Sequence, residues 1–186
     1  MSAKPLPALP GPAADAARRA AMLRVDHAGE LGAVHIYRGQ RAVMAAGGRS
    51  GMAETLAEMQ AHEAAHLARL DTLLNENRVR PTLLAPMWRF AGFALGAATA
   101  LIGESAAHAC TEAVEEVIEA HYGGQIAELE SREPALAGEL AAFREDEAAH
   151  RQAAIAAGAR AAPAHGLLTA VIRAGCRAAI KISERL

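Results

Sequence analysis

The chain consists of long blocks of helix-forming residues, in which apolar and polar positions are interspersed. Ala, Leu, Glu and Arg dominate the blocks, whereas the runs of Val, Ile, Thr or Tyr that would indicate strands are missing. Glycine and proline interrupt the blocks at intervals, which is typical of helix ends. The pattern predicts an all-α protein with helices over about residues 15–46, 52–77, 104–130, 135–157 and 167–185.

The first four helices have the length of a long four-helix bundle, about 35–48 Å each at 1.5 Å per residue. The connection between the second and third is the long one, and a single long crossover is typical of ferritin-like topology. We therefore predict a ferritin-like domain over residues 15–186, with a long apolar crossover and an extra C-terminal amphipathic helix. Residues 1–14 contain four prolines and are predicted to form a flexible arm. Asp15 and Ser131 are candidate N-caps.

The crossover carries an uncharged segment, residues 90–103. As a helix it would be about 21 Å long, too short to span a hydrocarbon core of roughly 30 Å. Trp88 and Arg89 at its start suit a membrane interface or the mouth of a pocket. An ordinary buried helix explains the segment equally well.

Charge and cysteine content exclude several classes of protein. The net charge is −2 and no basic stripe is present, so nothing favours nucleic-acid binding. Cys110 and Cys176 lie far apart, which indicates neither a zinc site nor a disulfide framework and favours a reducing compartment. The N-terminus lacks the apolar core of a signal peptide, so we expect the protein in the cytoplasm or on its membrane face.

Two pairs of glutamate and histidine carry the candidate chemistry. Glu63 and His66 are three positions apart, as are Glu147 and His150, and this spacing places each pair on one helix face. Glu30 precedes the first pair by 33 residues and Glu115 precedes the second by 32, so the two halves of the chain are similar. One Glu from each of two helices and Glu-x-x-His from each of two others is the ligand set of carboxylate-bridged di-iron bundles. The six predicted metal ligands are Glu30, Glu63, His66, Glu115, Glu147 and His150.

Glu115 belongs to a stripe along one face of its helix, and its neighbour Glu116 falls about 100° away. This favours Glu115 as the ligand, although Glu112 and Glu119 on the same stripe could also reach a metal. The stripe consists of His108, Glu112, Glu115, Glu119 and Tyr122.

The other polar residues have weaker patterns. Asp26 and His121 are candidates for orienting the ligands, whereas Tyr122 suits a core or a catalytic role equally, and His27 an orienting or a core role. His62 is expected on the surface, pointing away from His66. His35 and His165 have no partner pattern. We expect solvent exposure for Glu54, Glu58, Glu128, Glu130, Glu133 and Glu139.

Four segments together resemble the demethoxyubiquinone hydroxylase family over about residues 18–186. They are RVDHAGELGAVHIYRGQ, QAHEAAHLARL, ACTEAVEEVIEAHYGGQI and FREDEAAHR. The resemblance implies the same six ligands and matches His121 and Tyr122 to a His-Tyr segment of the family, whose preceding histidine is Ala120 here. The family often has QEK or a similar sequence where this chain has QAHEAAH.

The resemblance implies an oxygen-dependent monooxygenase that hydroxylates the benzoquinol ring of a polyprenylated ubiquinone precursor, with two Fe ions as the cofactor. The implied partners are this substrate, O₂ and a membrane surface bound peripherally at its cytoplasmic face, through residues 83–103 and the basic C-terminal helix. A lipid-binding helper protein and self-association are further possibilities. The alternatives are a ferritin-like iron-handling protein, a helical scaffold without metal, and a related hydroxylase of another substrate, such as a tRNA base.

Overall fold

A computed structural model describes residues 12–185, which form six α-helices and contain no strand. Residues 1–11, which are most of the predicted arm, lie outside the described residues. A short 3-10 helix, Ala159–Ala161, separates the last two α-helices. The α-helices are α1 Pro12–Ala46, α2 Ser50–Glu76, α3 Ala85–Ile102, α4 Glu104–Leu129, α5 Pro134–Ala156 and α6 His165–Ser183.

The helices form two hairpins, α1 with α2 and α4 with α5, and this confirms the predicted all-α, ferritin-like bundle. The connection between the hairpins is the helix α3, which packs along α1. Gly103, with φ of +148°, forms the corner between α3 and α4, a conformation that L side chains rarely adopt. α6 packs against α4. The long crossover therefore contributes a helix to the domain.

Glycines allow the backbones of α1 and α3 to touch. A Cβ atom on Gly92 would lie 2.6 Å from the carbonyl oxygen of Gly32. A Cβ on Gly39 would collide with the carbonyl oxygen of Phe93, and one on Gly96 with that of Ile36. The glycine content of the crossover is thus explained by close helix packing.

Both predicted N-caps are wrong. α1 begins at Pro12, so Asp15 lies in its first turn and is not the N-cap. α5 begins at Pro134, and Ser131 lies in the preceding turn. Both helices begin with proline, which is favoured at the first helical position because it has no N–H to leave unpaired there.

The apolar core includes clusters at both ends of the bundle. At the end where α1 leads into α2, Tyr37, Met44 and Leu56 pack together. At the opposite end, a second cluster includes Leu23 and Leu70, and a further one lies between Met22 and Leu140. Between the two ends lie buried polar residues beside a further apolar cluster.

Candidate metal centre

The six predicted ligands meet in the middle of the bundle. One group of four contains Glu30 and His66, and another contains Glu115 and His150; both also contain Glu63 and Glu147. In each group the ligand atoms all lie within 4.8 Å of one another. Two overlapping groups with two shared carboxylates are the arrangement that a carboxylate-bridged metal pair requires. Their role as ligands stays a prediction.

The inward-facing atoms of these residues make no hydrogen bond to any group outside the cluster. They are the Nδ1 atoms of both histidines, both carboxylate oxygens of Glu63 and Glu147, and one oxygen each of Glu30 and Glu115. All six side chains are buried. Unpaired buried carboxylates are costly, since burial disfavours the charged form. Eight metal-binding atoms that face one another, with only two histidines to offset four carboxylates, therefore fit bound cations.

Burial and the neighbouring charged groups shift the pKa values of these residues. Burial and the neighbouring carboxylates raise the pKa of Glu63 and that of Glu115 well above the ordinary value. Burial by itself would raise the pKa of Glu147, but contacts with His150 and His66 lower it to about 2. Burial would likewise lower the pKa of His66, yet contacts with Glu147 and Glu30 raise it to about 10. The raised pKa values favour the protonated forms of Glu63, Glu115 and His66.

Two buried tyrosines cross between the halves of the site. Tyr122 of α4 donates a hydrogen bond to Glu30 of α1, and Tyr37 of α1 donates one to Glu115 of α4 at 2.8 Å. Each tyrosine lies seven residues after the glutamate of its own helix. The crossing orients both glutamates and links α1 to α4. Tyr122, predicted as a catalytic or core residue, thus contacts a candidate ligand.

His121 belongs to a network behind the site. Its Nε2 lies 3.1 Å from Oδ1 of Asp26, which also accepts a hydrogen bond of 2.8 Å from Gln125. His27 contacts Asp71 instead, at 3.0 Å. Asp26 lies one helical turn before Glu30, so the network stabilises this part of α1. A catalytic role for His121 stays a prediction.

The outer nitrogens of the two ligand histidines have different partners. Nε2 of His66 lies 3.1 Å from Oδ2 of Asp146, whereas Nε2 of His150 lies 3.3 Å from Nδ1 of His62. His62 is exposed, as predicted, but its ring also stacks on that of His150, with centroids 5.6 Å apart. Asp146 has no distinctive pattern in the sequence, because single acidic residues are common on helices.

The alternative ligands on α4 are held in ion pairs. Glu112 lies 2.7 Å from His165, and Glu119 accepts a hydrogen bond of 2.9 Å from Arg151. His165 therefore has a partner after all, and only the turn before α6 brings the two together. Of the six glutamates expected in solvent, Glu54, Glu58 and Glu130 are exposed, whereas three are half-buried in pairs with arginines, namely Glu128, Glu133 and Glu139.

An apolar cavity of about 400 Å³ lies between α1, α3, α4 and α6. Its wall includes Gly29 and Val114, the residues that precede Glu30 and Glu115, and Ile118 one turn further along α4. Trp88 of α3 also lines it, which agrees with the predicted pocket mouth. The volume falls in the range of small-molecule sites, roughly 300–1,000 Å³.

Comparison with known proteins identifies the family. The sequence profile described as "Ubiquinone biosynthesis protein COQ7" matches residues 17–183. The chain belongs to this family. The COQ7 family match covers nearly all of the described residues, including all six candidate ligands, and agrees with the resemblance in the sequence.

Named relatives of this COQ7-family chain are hydroxylases. The 3-demethoxyubiquinol 3-hydroxylase of Rhodospirillum rubrum is 50% identical over 96% of this chain and 83% of its own length. The human NADPH-dependent 3-demethoxyubiquinone 3-hydroxylase, mitochondrial, is 46% identical over 89% of this chain and 76% of its own. The 5-demethoxyubiquinone hydroxylase of Saccharomyces cerevisiae is 38% identical over 89% and 77%, respectively.

Proposed function

We propose that this protein hydroxylates the benzoquinol ring of a polyprenylated demethoxyubiquinol, using O₂ and a pair of iron ions. The observation that carries the proposal is the pair of ligand groups sharing Glu63 and Glu147, beside an apolar cavity, in a COQ7-family chain. The relatives' names supply the substrate class. The donor set supports iron, because carboxylate and imidazole ligands suit it.

Iron bound here would supply the activation of O₂ that aromatic hydroxylation needs. The chain's own residues position the reactants. Glu63 and Glu147 would contribute to both metal positions, and Glu30 and Glu115 would each contribute to one, held by the tyrosine of the opposite helix. The cavity would hold the quinol ring against the α1 and α4 side of the site. Its apolar wall would disfavour water, which would protect a reactive centre.

The substrate's isoprenoid tail explains the apolar surface of α3 and α6. Phe90 and Leu101 of α3 are 76% and 75% exposed, and Leu167 of α6 is 69% exposed. Such side chains are stable when they enter a lipid surface. Arg177 and Lys181 of α6 are exposed and can contact anionic headgroups, whereas Arg173 pairs with Glu116.

We propose that the protein binds peripherally, at the cytoplasmic face of the membrane. By length and composition α3 could cross a membrane, and 22% of it is buried. Its close glycine contacts with α1 favour a position along the surface. A lipid-binding helper protein and self-association stay predictions.

Complementation tests the proposed reaction. The protein is expressed in cells that lack their own hydroxylase and accumulate the demethoxy precursor, and the quinones are measured by mass spectrometry. We expect the precursor to fall and ubiquinone to appear. Persistence of the precursor despite folded, iron-loaded protein would contradict the proposed substrate.

The cavity is tested by filling it. A side chain at Gly29 would point into open space next to the cavity wall, so Gly29→Leu should raise KM for the quinol while iron content stays unchanged. Gly138→Leu is the control, since Gly138 lies in open space on α5 away from the cavity. Equal kinetics for both variants would exclude this cavity as the ring site.

A further inference from the structure

The two halves of the metal centre are matched in almost every contact. Each candidate metal position has one glutamate of its own, and both share Glu63 and Glu147. A tyrosine from the first helix of the opposite hairpin donates a hydrogen bond to each of the unshared glutamates. Each position also has one histidine whose Nδ1 faces inward, at 3.2 Å from Glu147 for His66 and 3.0 Å from Glu63 for His150. The number of carboxylate ligands is therefore equal at both positions.

The two halves differ in the residue that contacts the outer nitrogen of each histidine. Asp146 immediately precedes Glu147, and His62 immediately precedes Glu63, so the two occupy equivalent positions in the two hairpins. Each reaches across to the ligand histidine of the other hairpin. Asp146 contacts the outer nitrogen of His66 at 3.1 Å, and His62 contacts that of His150 at 3.3 Å. A carboxylate thus stands where the other half has an imidazole.

The difference acts on the metal through the ligand ring. A carboxylate that accepts the outer N–H of an imidazole fixes its orientation and raises its basicity, and loss of such a partner typically lowers metal affinity 10- to 100-fold. A neutral imidazole accepts the same hydrogen bond without contributing charge, and charged partners make the stronger bonds. His66 should therefore bind its ion more strongly than His150.

We propose that the two metal positions are unequal, and that the position bound through His66 holds its ion more tightly than the position bound through His150. Asp146 and His62 are the positioning residues that set this difference. The ion at the His150 position exchanges first when metal is limiting. This inference rests on the proposed function, in that it assumes a metal pair at this centre.

The experiment isolates each position in the full chain. Glu115→Ala keeps the His66 position, and Glu30→Ala keeps the His150 position. Each metal-free protein is titrated with Fe(II) anaerobically by calorimetry, with circular dichroism to check the helical content. We expect the Glu115→Ala protein to bind Fe(II) about tenfold more tightly than the Glu30→Ala protein.

Exchange of the outer partners identifies the cause. Asp146→Asn in the Glu115→Ala protein should weaken Fe(II) binding about tenfold or more, and His62→Asp in the Glu30→Ala protein should strengthen it by a similar factor. Glu145→Gln is the matched control, because Glu145 is an exposed neighbour of Asp146 that contacts neither histidine. An equal loss from Glu145→Gln would show a general charge effect and overturn the proposal.

A second measurement covers variants that do not fold. In the unsubstituted, iron-loaded protein, a chelator should remove iron in a fast and a slow phase, and Asp146→Asn should accelerate the slow phase. Removal in one phase, or a slow phase that only His62 variants alter, would overturn the inference. Two ions held with equal affinity would refute this inference alone, whereas failure of the unsubstituted protein to bind iron would refute the proposed function.

Discussion

The metal centre and the exposed face of α3 and α6 depart from ordinary protein architecture in opposite ways. In the centre, Glu63 and Glu147 are completely buried, whereas on the face Phe90 and Leu101 are about three-quarters exposed. Charged groups are rarely buried unless paired, and large exposed apolar patches mark interaction sites. Each region therefore fits the partner proposed for it, a cation in the centre and a lipid surface on the face.

The cavity joins these two regions. Its wall contains Gly29 and Val114 next to candidate ligands, and Trp88 on the helix that carries the exposed face. A substrate with a polar ring and an apolar tail fits this order of environments. The proposed function would use both regions, and variants that disrupt one region while keeping the other test this.

Removal of a shared carboxylate should have the largest effect. Glu147 belongs to both ligand groups, so Glu147→Ala should abolish iron binding and lower hydroxylation by roughly a thousandfold or more, since bound metal supplies several kcal/mol of transition-state stabilisation. Metal analysis and quinone mass spectrometry measure both. Membrane binding should persist. Glu145→Ala, at an exposed neighbour, is the control, and normal iron content in Glu147→Ala would contradict the ligand assignment.

Charges on the apolar face should produce the converse result. Burying a phenylalanine or leucine contributes about 1.5–3 kcal/mol, so Phe90→Asp or Leu101→Asp should each weaken vesicle binding roughly 10- to 100-fold. Flotation with anionic vesicles measures the binding, and iron content should stay normal. Thr72→Asp, on the exposed side of α2, controls for added charge. Unchanged flotation of both α3 variants would exclude this face as the membrane contact.

The packing of α3 against α1 can be disrupted by a larger side chain at their contact. A side chain at Gly96 would collide with the carbonyl oxygen of Ile36, so Gly96→Leu should lower the free energy of unfolding by about 1–3 kcal/mol. Gly138→Ala, in open space within α5, should raise it by about 0.5–1 kcal/mol. Urea unfolding followed by circular dichroism compares them. A stable Gly96→Leu protein would show that the helices can move apart.

The smallest expected effect is a change of stability with pH, and it arises from the metal centre. The folded-state pKa values of Glu63, Glu115 and His66 are all raised, so their protonation stabilises the metal-free fold at low pH, and this stabilisation is lost as pH rises through those values. The lowered pKa of Glu147 acts only between about 2 and 4.5. The melting temperature of metal-free protein should therefore fall between pH 5.5 and 9.

Bound iron should weaken that dependence, because it replaces the protons. Thermal unfolding with chelator and with added Fe(II) under anaerobic conditions measures the difference. A metal-free protein that becomes more stable from pH 5.5 to 9 would contradict the raised pKa values of the centre.

The sequence by itself determined five of the six α-helices and the six residues that converge. Helical periodicity is local, so the spacing of Glu63 and His66 already places both on one face, and the repeat in the second half indicates which faces meet. The same reasoning favoured Glu115 over Glu116, and α4 buries the former. The spacing from Glu115 to Tyr122, repeated from Glu30 to Tyr37, was an available signal that the sequence analysis did not use.

Only the tertiary structure decided the contacts between helices. The tyrosine crossing, the pairing of Asp146 with His66 and the contact of Glu112 with His165 each join residues far apart in the chain. The close fit of α3 on α1 is of the same kind. Periodicity specifies the face of a helix on which a side chain lies, whereas the rotation and separation of helices follow from packing of the whole domain. A side chain's partner on another helix is therefore a property of the assembled bundle.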